Sequence, residues 1–125
     1  MTSLYGQYIK ERAGRGIVEN DEGFATFDYI GEDVVYIVDL YVVPEKRKEG
    51  IASKLADVIV EQAVKDGKKH LLGSVDVTAK GAEASIAVLK AYGMKEYKVV
   101  EPMIFFNKQI APLADEVIEV ANGLG

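Results

Sequence analysis

Arg47-Lys48-Glu49-Gly50-Ile51-Ala52 is the stretch of this chain whose residue types and spacing suit anion binding. A helix that starts there leaves its first amides without partners inside it, so their N–H groups point outward and favour negative charge. Gly50 has no Cβ, which lets an anion come close to the backbone, and Ala52 stays small beside it. Lys46, Arg47 and Lys48 add positive charge at the same place. The combination suits a cradle for phosphates. Two competing phosphate motifs fail. Gly-x-x-x-x-Gly-Lys-Ser/Thr is absent, and Gly14-Arg15-Gly16 follows a predicted helix rather than a strand, which rules out a dinucleotide fingerprint there. Arg-x-x-Gly-x-Ala alone also describes a solvated charged turn, so the elements around it must decide.

Those elements are legible from periodicity. Ser3 suits the N-cap of a helix running to about Ala13, which Gly14 and Gly16 end. Ile17 to Glu19, Phe24 to Ile30 and Val34 to Val43 read as strands joined by the polar turns Asn20–Gly23 and Gly31–Asp33, an antiparallel meander. Pro44 ends the third strand, and Ile51, Leu55, Val58, Ile59 and Ala63 recur at helical spacing up to Asp66-Gly67. A strand over Leu71–Val77, a helix over Ala82–Ala91 closed by Gly93, and strands over 94–100 and 103–108 follow. A strand joined through a long helix to the next strand implies a parallel pair. The expected class is therefore α/β (α+β), with a mixed, mostly antiparallel central sheet and flanking helices.

One domain over residues 1–110 accounts for these elements, and 111–125 reads as a C-terminal acidic helical tail. Leu113, Val117, Ile118 and Val120 give the tail an apolar stripe that suits its own domain or a second copy in a homodimer; the sequence leaves both open. The absence of cysteine excludes disulfides and a thiol nucleophile, and fits the cytoplasmic location expected here. A single histidine, His70, opens an apolar run, so no metal site is expected. No apolar stretch approaches the ~20 residues of a membrane span. A net charge of −5 argues against a general nucleic-acid surface. Its distribution is uneven: residues 1–43 hold three bases against eight acids, and 44–110 hold twelve bases against nine acids. An acidic front and a basic middle suit a protein that holds a polyanion in one place and a cation in another.

The order strand, Pro-x-x-Arg47-x-x-Gly50-x-Ala52, amphipathic helix, strand, helix ending in Tyr92-Gly93-Met94, then two strands resembles the GCN5-related N-acetyltransferase (GNAT) family over about residues 24–108. The resemblance implies an acetyl-CoA-dependent N-acetyltransferase with acetyl-CoA as cosubstrate and a small-molecule or peptide amine as acceptor. It implies that the amides of Arg47, Lys48, Glu49, Gly50, Ile51 and Ala52 bind the CoA pyrophosphate. It also implies that Leu40, Tyr41 and Val42 pair with the pantetheine arm where the central strands part, often at a bulge, with Asp39-Leu40-Tyr41 the place to look. The chain departs from the family in two respects. Nothing before residue 3 matches the usual first strand and helix, and Ala82 and Leu89 occupy the positions of the usual Asn and Tyr on the second helix. That Tyr normally protonates the departing thiolate, which leucine cannot do.

Transfer to an amine needs a neutral amine, a polarised carbonyl and a proton for the leaving thiolate. Asp39, a carboxylate in an otherwise apolar strand, is the first candidate for base, and burial there would tune it; pairing with Arg12 or Arg15 is the structural alternative. A backbone N–H at Tyr41 or Val42 is the expected carbonyl donor. Tyr92 and Ser85 are the candidates for acid, with a core-capping role the alternative for Tyr92 and solvent the alternative source of the proton. Tyr36 and Tyr41 are candidates to line the acceptor pocket, with strand packing the plainer role for both.

Overall fold

The computed structural model describes residues 3–111. Helix α1 (Leu4–Tyr8) is capped by Ser3, whose Oγ accepts from the Gly6 amide at 2.9 Å. It continues as a π-helical turn, Ile9–Ala13, which Gly14 closes at φ 66°. The meander follows as β1 (Gly16–Asn20), β2 (Gly23–Ile30) and β3 (Val34–Val42). A short 3-10 turn, Pro44–Lys46, leads to α2 (Ile51–Lys65), then β4 (His70–Asp76), α3 (Ala82–Ala91), β5 (Lys95–Val100) and β6 (Met103–Gln109). Each expected element within these residues is present, with ends moved by a residue or two. The helix expected over Leu113–Val120 lies outside the described residues.

The six strands form one sheet in the order β1-β2-β3-β4-β6-β5. Among neighbouring strands only β3 and β4 run parallel, because α2 carries the chain back across the sheet between them; α3 does the same between β4 and β5, but β6 lies between those two. The meander order puts β4 beside β3, and β6 rather than β5 fills the place next to β4.

Alternation along the strands separates two faces. Ala25, Val35, Leu71, Val75 and Phe106 point to one face, where α2 lays down Ile51, Leu55, Ile59 and Ala63 to make the core. Helix α3 packs Ile86 and Leu89 against the same cluster. Helix α1 lies on the opposite face, with Tyr5 against Phe24 of β2 at 5.0 Å between ring centroids. The α2–β4 connection is anchored by Lys68, which is 9% exposed. Its ammonium donates to the carbonyls of Gly31 and Glu32 at 3.2 and 3.0 Å and lies 4.7 Å from the Tyr29 ring, so the buried charge is paired with oxygen and π density. The amides of Lys69 and His70 both donate to the Asp33 carbonyl. These bonds tie the first residues of β3 and β4 together.

Candidate active site

At its other end the β3–β4 pair comes apart. Val34, Val35 and Tyr36 pair with His70, Leu71 and Leu72, and the ladder stops there. Beyond it β3 stays on β2 and β4 stays on β6, so Ile37–Val42 and Gly73–Asp76 each keep only one neighbour. The break coincides with a bulge. Thr26 pairs with Asp39 and Phe27 with Ile37, which leaves Val38 as the extra residue on β3. A bulge adds a bend and twist to one strand, which turns β3 away from β4. The bulge falls one residue before the expected stretch Asp39–Tyr41. The result is a wedge-shaped opening in the middle of the sheet with unpaired β3 backbone along one side.

The opening leads to the Arg47–Ala52 turn. Lys48 and Gly50 are both left-handed, at φ 68° and 82°. Gly50 is the N-cap of α2, and no side chain caps the helix, so its first amides face outward without an internal partner. A Cβ built on Gly50 meets nothing within 4 Å, which leaves open space above the amides. Arg47 donates from Nε to the Val42 carbonyl at 3.0 Å, and its guanidinium carbon lies 5.6 Å from the Tyr41 ring centre. The turn and the end of β3 are thus held together by one side chain. Ile51 is buried in the core, which plants the helix start. Uncapped amides, an open glycine and the basic residues Lys46, Arg47 and Lys48 fit a pyrophosphate.

Asp39 lies on the α1 face beside the bulge and is exposed, so the burial expected of it is not found. Its Oδ2 accepts from Thr26 Oγ1 at 3.4 Å. Arg15 is engaged elsewhere, 3.4 Å from Asp28. Phe24, Tyr41 and Tyr5 form an aromatic row on the same face, with Phe24 and Tyr41 stacked at 5.8 Å. Leu40 points to the opposite face from Tyr41, and Val42 is buried in the core. Tyr92 follows the last turn of α3, across the sheet from Asp39. Its hydroxyl donates to Asp57 of α2 at 2.7 Å, and burial, with Asp57 adding to it, pushes its pKa well above the ordinary tyrosine value. Lys108 donates to the Tyr92 carbonyl and sits over its ring at 4.6 Å. Ser85 is exposed on α3. Asp57 carried no sequence signal as a partner, since 35 residues separate it from Tyr92. Tyr92→Phe is expected to lower stability by about 1 kcal/mol, a few degrees in thermal midpoint, by loosening α3 from α2. A thermal melt checks it, and an unchanged midpoint would show that the bond contributes nothing.

Residues 4–94 match the family described as Acetyltransferase (GNAT) family. The chain belongs to the GNAT family. No curated protein matches the sequence. Among solved structures, a GNAT-family protein from Desulfovibrio desulfuricans aligns with a TM-score of 0.72 at 14% identity, covering 84% of this chain and 76% of that one. An aminoglycoside 6'-acetyltransferase type Ii aligns at 0.70 and 19% identity, covering 86% and 77%. An aminoglycoside 6'-N-acetyltransferase complexed with coenzyme A aligns at 0.65 and 16% identity, covering 84% and 78%. At these identities the likeness is one of fold. Leu89, where the sequence resemblance expects the family tyrosine, has its Cδ atoms 3.6 and 3.8 Å from where Gly73 would carry a Cβ. Leu89 packs at the β4 side of the opening. Among the described residues no group of histidine, cysteine, aspartate or glutamate side chains is placed to hold a metal ion, and no helix is long and apolar enough to cross a membrane. A shallow recess of about 630 Å³ beside Gly14, Asp28, Tyr29 and Asp66 lies at the far end of α2 from the cradle. It has neither the parted strands nor the uncapped helix start found beside β3.

Proposed function

We propose that the chain is an acetyl-CoA-dependent N-acetyltransferase that moves an acetyl group to a primary amine by direct attack in a ternary complex. The observation that carries this reading is the unpaired β3 backbone from Ile37 to Val42, which runs from the bulge to the Gly50 cradle. The amides of Arg47 to Ala52 hold the pyrophosphate, and Leu40 to Val42 align the pantetheine arm as a neighbouring strand would. A β3 amide at the bulge end of the unpaired stretch, beyond the Leu40 to Val42 segment that the arm occupies, polarises the thioester carbonyl without the use of a side chain. Asp39, exposed beside the bulge, takes the proton of the attacking amine or holds the amine as a cation before it. Ser85 on α3 and Tyr92 just past its end are the candidates for the acid, with the Tyr92 hydroxyl engaged by Asp57. The acceptor is a small-molecule or peptide amine rather than a nucleic acid or a membrane, and acidic residues outnumber basic ones in the front half of the chain, which suits a cation.

A second reading, a CoA-binding or partner-binding module without efficient turnover, is favoured by one observation: Leu89 stands where a proton-donating tyrosine is usual, packed on Gly73. Isothermal titration with acetyl-CoA tests both readings, and no binding by the folded chain would remove both. Release of free thiol from acetyl-CoA in the presence of spermidine, kanamycin, free amino acids or an alanine-initiated peptide separates them. Turnover with one of these amines is the expected result.

A further inference from the structure

With leucine at position 89, the proton that the departing sulfur takes up comes from another side chain or from solvent. One hydroxyl pair in this chain is at the right place. Tyr36 is the last β3 residue paired with β4, and its hydroxyl lies 2.5 Å from Ser74 Oγ, two residues past the last paired residue of β4. The contact therefore crosses the opening at its apex. Tyr36 lies across from Asp28, and Asp39 across from Thr26, so both point to the α1 face, where Ser74 also lies as the alternate of Gly73 and Val75. Asp39 and Tyr36 thus flank the bulged Val38 on one side of the sheet. Both hydroxyls are partly buried, each in contact with the other.

We propose that the Tyr36–Ser74 hydroxyl pair donates the proton to the departing thiolate. This rests on the transferase reading above. An arm anchored at Gly50 and laid backwards along Val42 to Leu40 delivers its thioester end toward the apex, because β3 offers unpaired backbone in that direction only. The amine nitrogen bonds to the carbonyl carbon, the carbon–sulfur bond breaks, and its electron pair goes to sulfur. One hydroxyl of the pair gives its proton to that sulfur while the other donates to the oxygen left behind. The nitrogen gives up two protons, one as the ammonium becomes neutral and one after the new bond forms; both leave through Asp39 and solvent, solvent returns one to the hydroxyl pair, and one proton is released overall. No oxidant or further co-reactant enters.

The alternative is a latch that only sets where β3 and β4 part, and the two roles differ in what they move. For the proton donor, Tyr36→Phe lowers kcat for acetyl-CoA with spermidine, kanamycin or the alanine-initiated peptide, whichever is acetylated fastest, by roughly 10- to 100-fold. The Kd for acetyl-CoA stays within error, and the thermal midpoint falls by no more than the few degrees expected for loss of one hydrogen bond. Ser74→Ala lowers kcat in the same way, and Ser74→Thr, which keeps a hydroxyl, restores most of it. A latch changes Kd or the midpoint and leaves kcat alone, and that pattern overturns the proposal. Equal kcat for Ser74→Ala and Ser74→Thr overturns it as well. A wild-type chain that binds acetyl-CoA but releases no thiol with any of these amines overturns the transferase reading and this proposal with it. An active wild type with an unimpaired Tyr36→Phe variant overturns this proposal alone.

Discussion

Gly50→Val is expected to weaken acetyl-CoA binding by about 100-fold or more, read by isothermal titration. Two effects combine at that position. The left-handed backbone at φ 82° is costly for a β-branched residue, on the order of 1–3 kcal/mol, so the turn relaxes and its amides lose their common aim. The added side chain also enters the space above those amides, which no protein atom fills within 4 Å of the Cβ position. Gly50→Asn separates the two effects. Asparagine tolerates left-handed backbone, so that variant keeps the thermal midpoint while its side chain still stands where the phosphates would lie. Weaker binding by both variants, with a lower midpoint only for valine, supports a steric cradle. Unchanged affinity in Gly50→Val would refute the cradle altogether.

The Arg47–Ala52 turn was also the most legible part of the sequence. Gly50 follows a basic run, Pro44 ends a strand, and Ile51, Leu55 and Ile59 mark the helix, all within sixteen residues. Local signals of that kind depend on backbone preference and side-chain period, which a single chain displays directly. The parallel pairing of β3 and β4 was legible too, since a helix between two strands leaves little choice. The placement of β6 beside β4 was not. Strand pairing at a distance is decided by packing, here the fully buried Phe106 opposite Gly73, and no residue near β6 announces it. The bulge at Val38 was sought one residue too late because valine carries no bulge signal, unlike glycine. Asp39 looked costly inside an apolar run, yet a strand alternates, and its own position falls on the exposed face once Val38 has shifted the phase. Tyr36 with Ser74 and Tyr92 with Asp57 join residues 38 and 35 apart in sequence, so their pairing exists only in the folded sheet.

Gly23→Val carries the other large expected effect, because this glycine fits β2 to the end of β3 that the opening exposes. Gly23 pairs with Val42, and a Cβ added there would lie 2.2 Å from the Tyr41 carbonyl oxygen and 3.0 Å from the Val42 Cα. Both neighbours are backbone, so no side chain can swing away, and the strands must part by roughly an ångström to reach ordinary contact. Bonds nearby fail with them. Val43 donates to the Glu22 carbonyl at 2.8 Å, and Asn20 Oδ1 accepts from the amides of Glu22 and Gly23 to hold the turn. The expected loss is about 3 kcal/mol or more, on the order of 10 °C in thermal midpoint. Gly73→Ala is the control, a strand glycine on the other side of the opening. Its Cβ would meet only the Met94 methyl at 3.4 Å and the Leu89 methyls beyond, so a change within about 1 kcal/mol is expected. The functional consequence follows from the same displacement. Tyr41 and Val42 carry amides assigned to the pantetheine arm, so a folded Gly23→Ala variant should bind acetyl-CoA more weakly even below its lowered midpoint. Stability lost with affinity kept would mean that the arm does not pair with this end of β3.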